Sequence, residues 1–241
     1  MKSDEFYDYL SSNYASLNGV SSYYITAVNH IVSQHVDGVK SWLDIGAGDG
    51  VRTASILNTL STPPQDITLC DSSIGMVEAA TRNLPQARVI RWSMTKEPPF
   101  SSNQKFETIT LLGNVLGHVH PEKSRVEKLS AIHSLLTENG KLLLDFNNRW
   151  NLSTYGIRSA GVNILKDLIH QPHSIFTTSK AVNGQSISTP VYLGSPKEYH
   201  LLLSKAGFHI EHIAYHHYTT GKTTNLFAGQ GLIQATRKGN K

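Results

Sequence analysis

The stretch Leu43-Asp44-Ile45-Gly46-Ala47-Gly48-Asp49-Gly50 decides the fold. It takes an apolar strand, Ser41 to Ile45, through three glycines into a helical pattern that starts at Val51. Glycine suits such a turn because it reaches positive φ without steric penalty and lets a ligand lie against the backbone. A nicotinamide-binding loop would place a third glycine or an alanine at position 51, where the pyrophosphate comes closest. Val51 stands there instead, so the loop fits a ligand that brings no phosphates to the turn.

Outward from this turn, short apolar runs alternate with helical stretches. Downstream come DITLCD, a helix over Ile74 to Asn83, ARVIRW, FETITLL, a helix over Glu122 to Leu136, and GKLLLDF. The helix that follows the turn spans about Val51 to Leu60. Such alternation predicts a doubly wound α/β fold, with a mostly parallel sheet covered by helices on both faces. Upstream, two helices are expected, near Asp4 to Tyr14 and Ser21 to Val36, the second carrying Ile25, Val28, Ile31, Val32 and Val36 at helical spacing.

The segment 147–195 breaks the rhythm. It carries a helical pattern near Val162 to His170 and a hairpin signal at Asn183-Gly184. We read it as an insertion after the fifth strand that closes over a pocket. A helix from Pro196 to Ala206, a stop at Gly207, the strand FHIEHIAYHH and a last strand from about Leu226 to Thr236 complete the chain. The resulting organisation is an N-terminal helical cover, 1–39, and an α/β domain, 40–241.

Asp71 ends the strand DITLCD, 21 positions beyond Gly50. A carboxylate there accepts hydrogen bonds from both hydroxyls of a ribose; its rival role is to cap the next helix. Leu43 to Gly50 resembles the first motif of the class I methyltransferases that use S-adenosylmethionine (SAM), and Asp71-Ser72-Ser73-Ile74-Gly75-Met76 resembles their second. The order of elements from Lys40 onward is similar too, and implies a seven-stranded sheet whose last two strands run antiparallel.

The resemblance implies SAM as cofactor, with S-adenosylhomocysteine as product. It places Asp44, Gly46, Ala47 and Gly48 at the loop, Asp71 on the ribose, and Ser72 and Met76 beside the adenosine. Many members carry an aspartate after the third strand, whereas Ser93 and Met94 stand here. Gly113 and Asn114, just past the fourth strand, would form the wall beneath the methionine portion.

Methyl transfer from a sulfonium releases a neutral thioether, so alignment and proton removal are the protein's main tasks. His118 is the first candidate base and His120 the second; packing in the loop before Pro121 is the alternative for both. Tyr14, Tyr23 and Tyr24 precede the core and are candidate pocket residues. Asn147, Arg149 and Trp150 follow the fifth strand and could orient a polar acceptor, Arg149 by meeting an anionic group. Asp145 beside two asparagines is a weaker reading as a metal site, and no metal is assigned. Strand alternation puts His209 and His217 on one face and His212 with His216 on the other.

The 241 residues carry a formal charge of +4, scattered rather than gathered, and hydrophobic residues make up 39% of an ordinary globular composition. Nucleic acid is therefore disfavoured as a partner, and a small-molecule acceptor methylated on oxygen or nitrogen is preferred. An RNA or DNA methyltransferase and a catalytically silent SAM-binding protein are the rivals. The single cysteine, Cys70, excludes a disulfide framework. With no leader in MKSDEFYDYL and no apolar run long enough for a membrane span, a cytoplasmic protein is expected, monomer or homodimer.

Overall fold

The structure is a computed structural model that describes residues 1–11, 22–169, 176–182 and 185–237. Its helices are α1 (Ser3–Leu10), α2 (Ser22–Val36), α3 (Val51–Leu57), α4 (Ile74–Asn83), α5 (Glu122–Leu135), α6 (Leu152–Leu168) and α7 (Pro196–Lys205). Its strands are β1 (Ser41–Ile45), β2 (Asp66–Asp71), β3 (Arg88–Arg91), β4 (Phe106–Leu111), β5 (Leu136–Phe146), β6 (Phe176–Val182), β7 (Gln185–Val191), β8 (Phe208–His216) and β9 (Gln230–Arg237).

Seven strands form one sheet in the order β3-β2-β1-β4-β5-β9-β8. The first five are mutually parallel; β9 runs antiparallel to β5 and β8 antiparallel to β9. The doubly wound sheet with a closing antiparallel pair is thus the one expected. β6 and β7 pair separately as a hairpin whose expected turn, Asn183-Gly184, lies outside the described residues.

The central strands are near-continuous apolar runs because both sheet faces are covered. Leu43, Ile45, Leu142 and Leu144 pack on one face with Leu129 and Ile132 of α5 and Leu202 and Leu203 of α7. Trp42, Leu69 and Leu143 pack on the other with Val28, Val32 and Val36, which recur every fourth residue on α2.

Four expectations change. Helix α6 begins at Leu152, ten residues before the predicted start; Asn151 caps it by accepting from Thr154 N at 3.1 Å, and Leu152 N donates to Phe227 O at 2.8 Å. Serines and glycines made this stretch a poor local helix former, and those tertiary bonds hold it. Gly156, at φ 79°, kinks it. Strand β9 starts at Gln230 rather than Leu226, because Ala228 N bonds Asn225 O in a turn. Helix α3 stops at Leu57.

The fourth change concerns the histidines. A register shift between Ile210 and His212 leaves Glu211 without a partner on β9, which inverts the alternation. His209, His212 and His216 consequently share one face, opposite Phe208, Ile210, Ile213 and Tyr215. Among the described residues no group of three or more His, Cys, Asp or Glu side chains gathers as a metal site, and no helix is long and apolar enough to cross a membrane.

Candidate functional site

The sheet order reverses between β1 and β4, which start connections on opposite faces and open a crevice at their carboxyl ends. A cavity of about 500 Å³ lies there. Ile45, Gly46 and Gly48 line it after β1, Asp71 and Ser72 after β2, Trp92 to Thr95 after β3, and Leu112, Gly113 and Val115 after β4. His118, Val119 and His120 continue the wall. Lys2, Ser3, Asp4 and Tyr7 of α1 and its flank, with Thr189 and Pro190 of β7, complete it.

The glycine loop is tied back to β2, since Gly46 N and Ala47 N both donate to Cys70 O, at 2.7 and 3.1 Å. Gly46 sits at φ 72°, and a Cβ there would lie 2.5 Å from a methyl of Val115. The cradle therefore admits only glycine. Asp71 Oδ2 accepts from Gly48 N and Oδ1 from Ser73 N, both at 2.9 Å. Burial raises the Asp71 carboxyl, and the amides of Ser73 and Gly48 act against that rise. The cap of α4 is Ser73, whose Oγ accepts from Met76 N at 3.1 Å, so the capping alternative for Asp71 is not what the structure shows.

Asp44 does not line the cavity. Its carboxylate is buried, raised by desolvation, and accepts from Thr53 Oγ1 and Thr110 Oγ1 at 2.6 Å each, bracing β1 against α3 and β4. Ala47 packs against the α2 side of the core and is not in the wall. Met76 is also displaced: it is buried with Phe6 and Leu10 of α1 and Ile187 of β7, where it docks α1. Asn114, at φ 59°, stands behind the wall, accepting from Asn147 N and donating to Tyr192 O.

Of the candidate bases, His118 places Nε2 3.2 Å from Tyr7 Oη, and its Nδ1 is buried with no hydrogen-bond partner. Burial, then the neighbouring His120, lowers its pKa to about 4. His120 is lowered by burial and by Arg125. Both imidazoles are therefore unprotonated at neutral pH.

The candidate acceptor residues that the structure describes are not brought to this cavity. Tyr14 lies outside the described residues. Tyr23 is 65% exposed, and Tyr24 is buried beside Tyr218 in the core. Asn147 donates its backbone N–H to Asn114 Oδ1 and is not in the cavity wall. Arg149, expected to be free for an anion, is buried against Asp167 and Glu198, and Trp150 donates to Asp167 while stacking on Phe227. Asp145, the weaker metal candidate, faces the amides of Gly113 and Asn114 and the Arg52 guanidinium. Sequence reasoning missed Trp92, Val115, Tyr7 and the β7 pair. Trp92 stands next to Ser93 at a strand end and was open to the same argument; Tyr7 carries no local signal.

A family profile described as "Methyltransferase domain" matches residues 43–142, from the glycine loop through the start of β5's apolar run. Residues 43–142 thus match a methyltransferase domain. A glycine/sarcosine N-methyltransferase from Parasynechococcus marenigrum is 26% identical over 114 residues, which are 46% of this chain and 39% of that protein. The match thus spans about two fifths of that relative's length. A SAM-dependent methyltransferase from Clostridium acetobutylicum shares the fold of this chain, with TM-score 0.62, 12% identity, and 91% and 92% of the two chains covered. The sugar N-methyltransferase KedS8 from Streptoalloteichus does so at TM-score 0.59 and 17% identity, covering 90% and 87%.

The residues present fit SAM. Gly46 and Gly48 line the cavity with backbone alone, and Asp71 offers its carboxylate at a strand end suited to a ribose. Asp71→Ala is expected to weaken S-adenosylhomocysteine binding by about 1–3 kcal/mol, the scale of a lost hydrogen bond to a charged group. Titration calorimetry on the folded variant checks this; unchanged affinity would remove Asp71 from the site.

Proposed function

We propose that this protein transfers the methyl group of SAM to an oxygen or nitrogen of a small-molecule acceptor. The observation that carries the reading is one cavity lined both by the glycine loop with Asp71 and by His118, His120 and Thr189. SAM supplies the electrophilic methyl group. Gly46, Gly48, Asp71, Ser72, Ser93, Met94 and Gly113 hold it, and the wall from His118 to His120 faces the acceptor. His118, unprotonated at neutral pH, lines the acceptor side as a neutral imidazole.

The segment 147–195 acts as the lid. Its hairpin brings Thr189 and Pro190 to the cavity, and α1 packs on it through Phe6, Leu10 and Ile187. The names of related proteins support a small acceptor: glycine or sarcosine for the curated relative, a sugar for KedS8, and an amino pentose for CalS10 from Micromonospora.

Labelled SAM incubated with the protein and a metabolite extract should place label in low-molecular-weight products, and a parallel incubation with RNA should stay blank. Label confined to RNA would overturn the acceptor class. Failure to bind either SAM or its product in calorimetry would overturn the activity.

The lowered His118 pKa also has a sign for stability. The unfolded chain binds the His118 proton at about pH 6.5 and the folded one only near pH 4, so this contribution is complete above about 6.5 and is lost as pH falls toward 4. After allowance for partial exposure, the loss is on the order of 2 kcal/mol. Urea unfolding at pH 4.5 and 7.5 should show a smaller difference between the two pH values in His118→Gln than in wild type; equal differences would refute the assignment.

A further inference from the structure

Tyr7 and Asp8 are adjacent on α1, and their side chains engage two different parts of the site. The Tyr7 hydroxyl lies 3.2 Å from His118 Nε2, with the two rings in a T-shaped contact, centroids 5.5 Å apart. Asp8 Oδ1 accepts from Ser73 Oγ at 2.6 Å and from Gly75 N at 3.0 Å. Ser73 is the residue whose own N–H holds Asp71 Oδ1 and whose hydroxyl caps α4. Phe6 and Leu10, from the same helix, are buried against Met76 and Ile187, so α1 is bolted to α4 on one side and to the lid hairpin on the other.

We propose that Tyr7 is a positioning residue for His118, and that Asp8 latches α1 onto the loop bearing Asp71, so that one helix orients the imidazole and holds the ribose side shut. The proposal rests on the functional reading above. A histidine's two nitrogens are coupled: the bond made by one fixes the proton on the other. With Nε2 facing a hydroxyl and Nδ1 buried without a partner, the arrangement of lower cost has Nε2–H donating to Tyr7 Oη, because a buried acceptor left alone costs less than a buried donor left alone. The basic lone pair then resides on Nδ1. Without the Tyr7 hydroxyl nothing selects that tautomer. Asp8 works at a distance from the imidazole, by keeping α1 where Tyr7 can reach it. The Asp8 carboxyl is held below its usual range: its small burial works against ionisation, but the Ser73 hydroxyl and the amides of Gly75 and Ile74 outweigh it, so the latch is charged at neutral pH.

The test uses the whole chain, ¹⁵N-labelled at histidine, with S-adenosylhomocysteine as the probe ligand. His118→Asn identifies the His118 resonances. In wild type these should report the Nε2–H tautomer; in Tyr7→Phe, which keeps the ring contact, both nitrogens should move toward the averaged position of mixed tautomers. Asp8→Ala should lower that affinity about tenfold and also mix the His118 tautomers in the free protein. Asp8→Asn, which retains an acceptor oxygen, should restore affinity to within threefold of wild type, and this separates the latch from a folding defect. Unchanged His118 shifts in Tyr7→Phe would overturn the positioning role, and unchanged affinity in Asp8→Ala would overturn the latch. A wild type that does not bind the probe would instead sink the proposed function, while the Tyr7 comparison is still read on the free protein.

Discussion

Arg149→Ala is expected to destabilise the protein by about 3–5 kcal/mol, the cost of removing one member of a buried ion cluster. The guanidinium is 2% exposed and bonds Asp167 through two nitrogens, at 2.5 and 3.1 Å. Its Nη1 donates to Glu198 Oε2 at 2.7 Å, Tyr192 Oη at 2.8 Å and Leu193 O at 2.8 Å. Burial alone would disfavour its charge, but the Asp167 bonds and the Glu198 charge more than compensate, and its pKa is raised. Alanine would remove both bonds to Asp167 and the short one to Glu198, whose remaining contact with Arg125 is 3.4 Å long. The cluster joins the end of α6, the hairpin exit at Tyr192 and the start of α7, so the junction of these elements should loosen. For a chain of this size the melting temperature should fall by roughly 10 °C. Arg149→Lys should lie between, since an ammonium cannot reproduce the paired bonds. A loss below 1 kcal/mol for alanine in urea unfolding would refute the clamp.

The second large effect is expected for Asp145→Ala. Asp145 is buried, and its Oδ1 accepts from Gly113 N and Asn114 N at 2.7 Å each while Oδ2 faces Arg52 Nη1 at 3.5 Å. Desolvation raises this carboxyl; Arg52 and the two amides oppose the rise. Gly113 and Asn114 are both left-handed, at φ 93° and 59°, and for asparagine that conformation must be supported by its surroundings. Removing the carboxylate orphans two amides and takes the ion partner from Arg52, whose Nε still donates to Asn29 Oδ1 at 2.8 Å. The cost should again be about 3–5 kcal/mol. Because Gly113 belongs to the cavity wall, affinity for S-adenosylhomocysteine should also drop about tenfold, or ~1.4 kcal/mol. Asp145→Asn keeps an acceptor for the amides but turns an NH₂ toward Arg52, and should lose less. Wild-type stability and affinity in the alanine variant would show that the turn holds itself.

These two residues also show where sequence reading succeeds and where it stops. Arg149 was correctly placed after the fifth strand, at the functional edge of the sheet. Its availability was misjudged, because the acids that consume it lie 18 and 49 positions further on. Met76 follows the same logic: its apolar character was evident, but α1, which it packs, docks from the far end of the chain. The histidines of β8 were assigned to faces by simple alternation, which a single unpaired residue, Glu211, reversed.

The alternation of strands and helices, the glycine turn and Asp71 at a strand end were legible in the residues alone, since each expresses a local constraint. A strand covered on both faces must be apolar throughout, a left-handed turn needs glycine, and an exposed strand end is where a carboxylate can serve a ligand. The make-up of the cavity wall around His118 depended on tertiary structure. Tyr7, Thr189 and Pro190 meet His118 only because α1 and the hairpin converge over β1 and β4, and that convergence is set by packing among Phe6, Leu10, Met76 and Ile187. Hydrophobic contact is non-directional and indifferent to separation along the chain, so no local pattern announces which distant surfaces it will join.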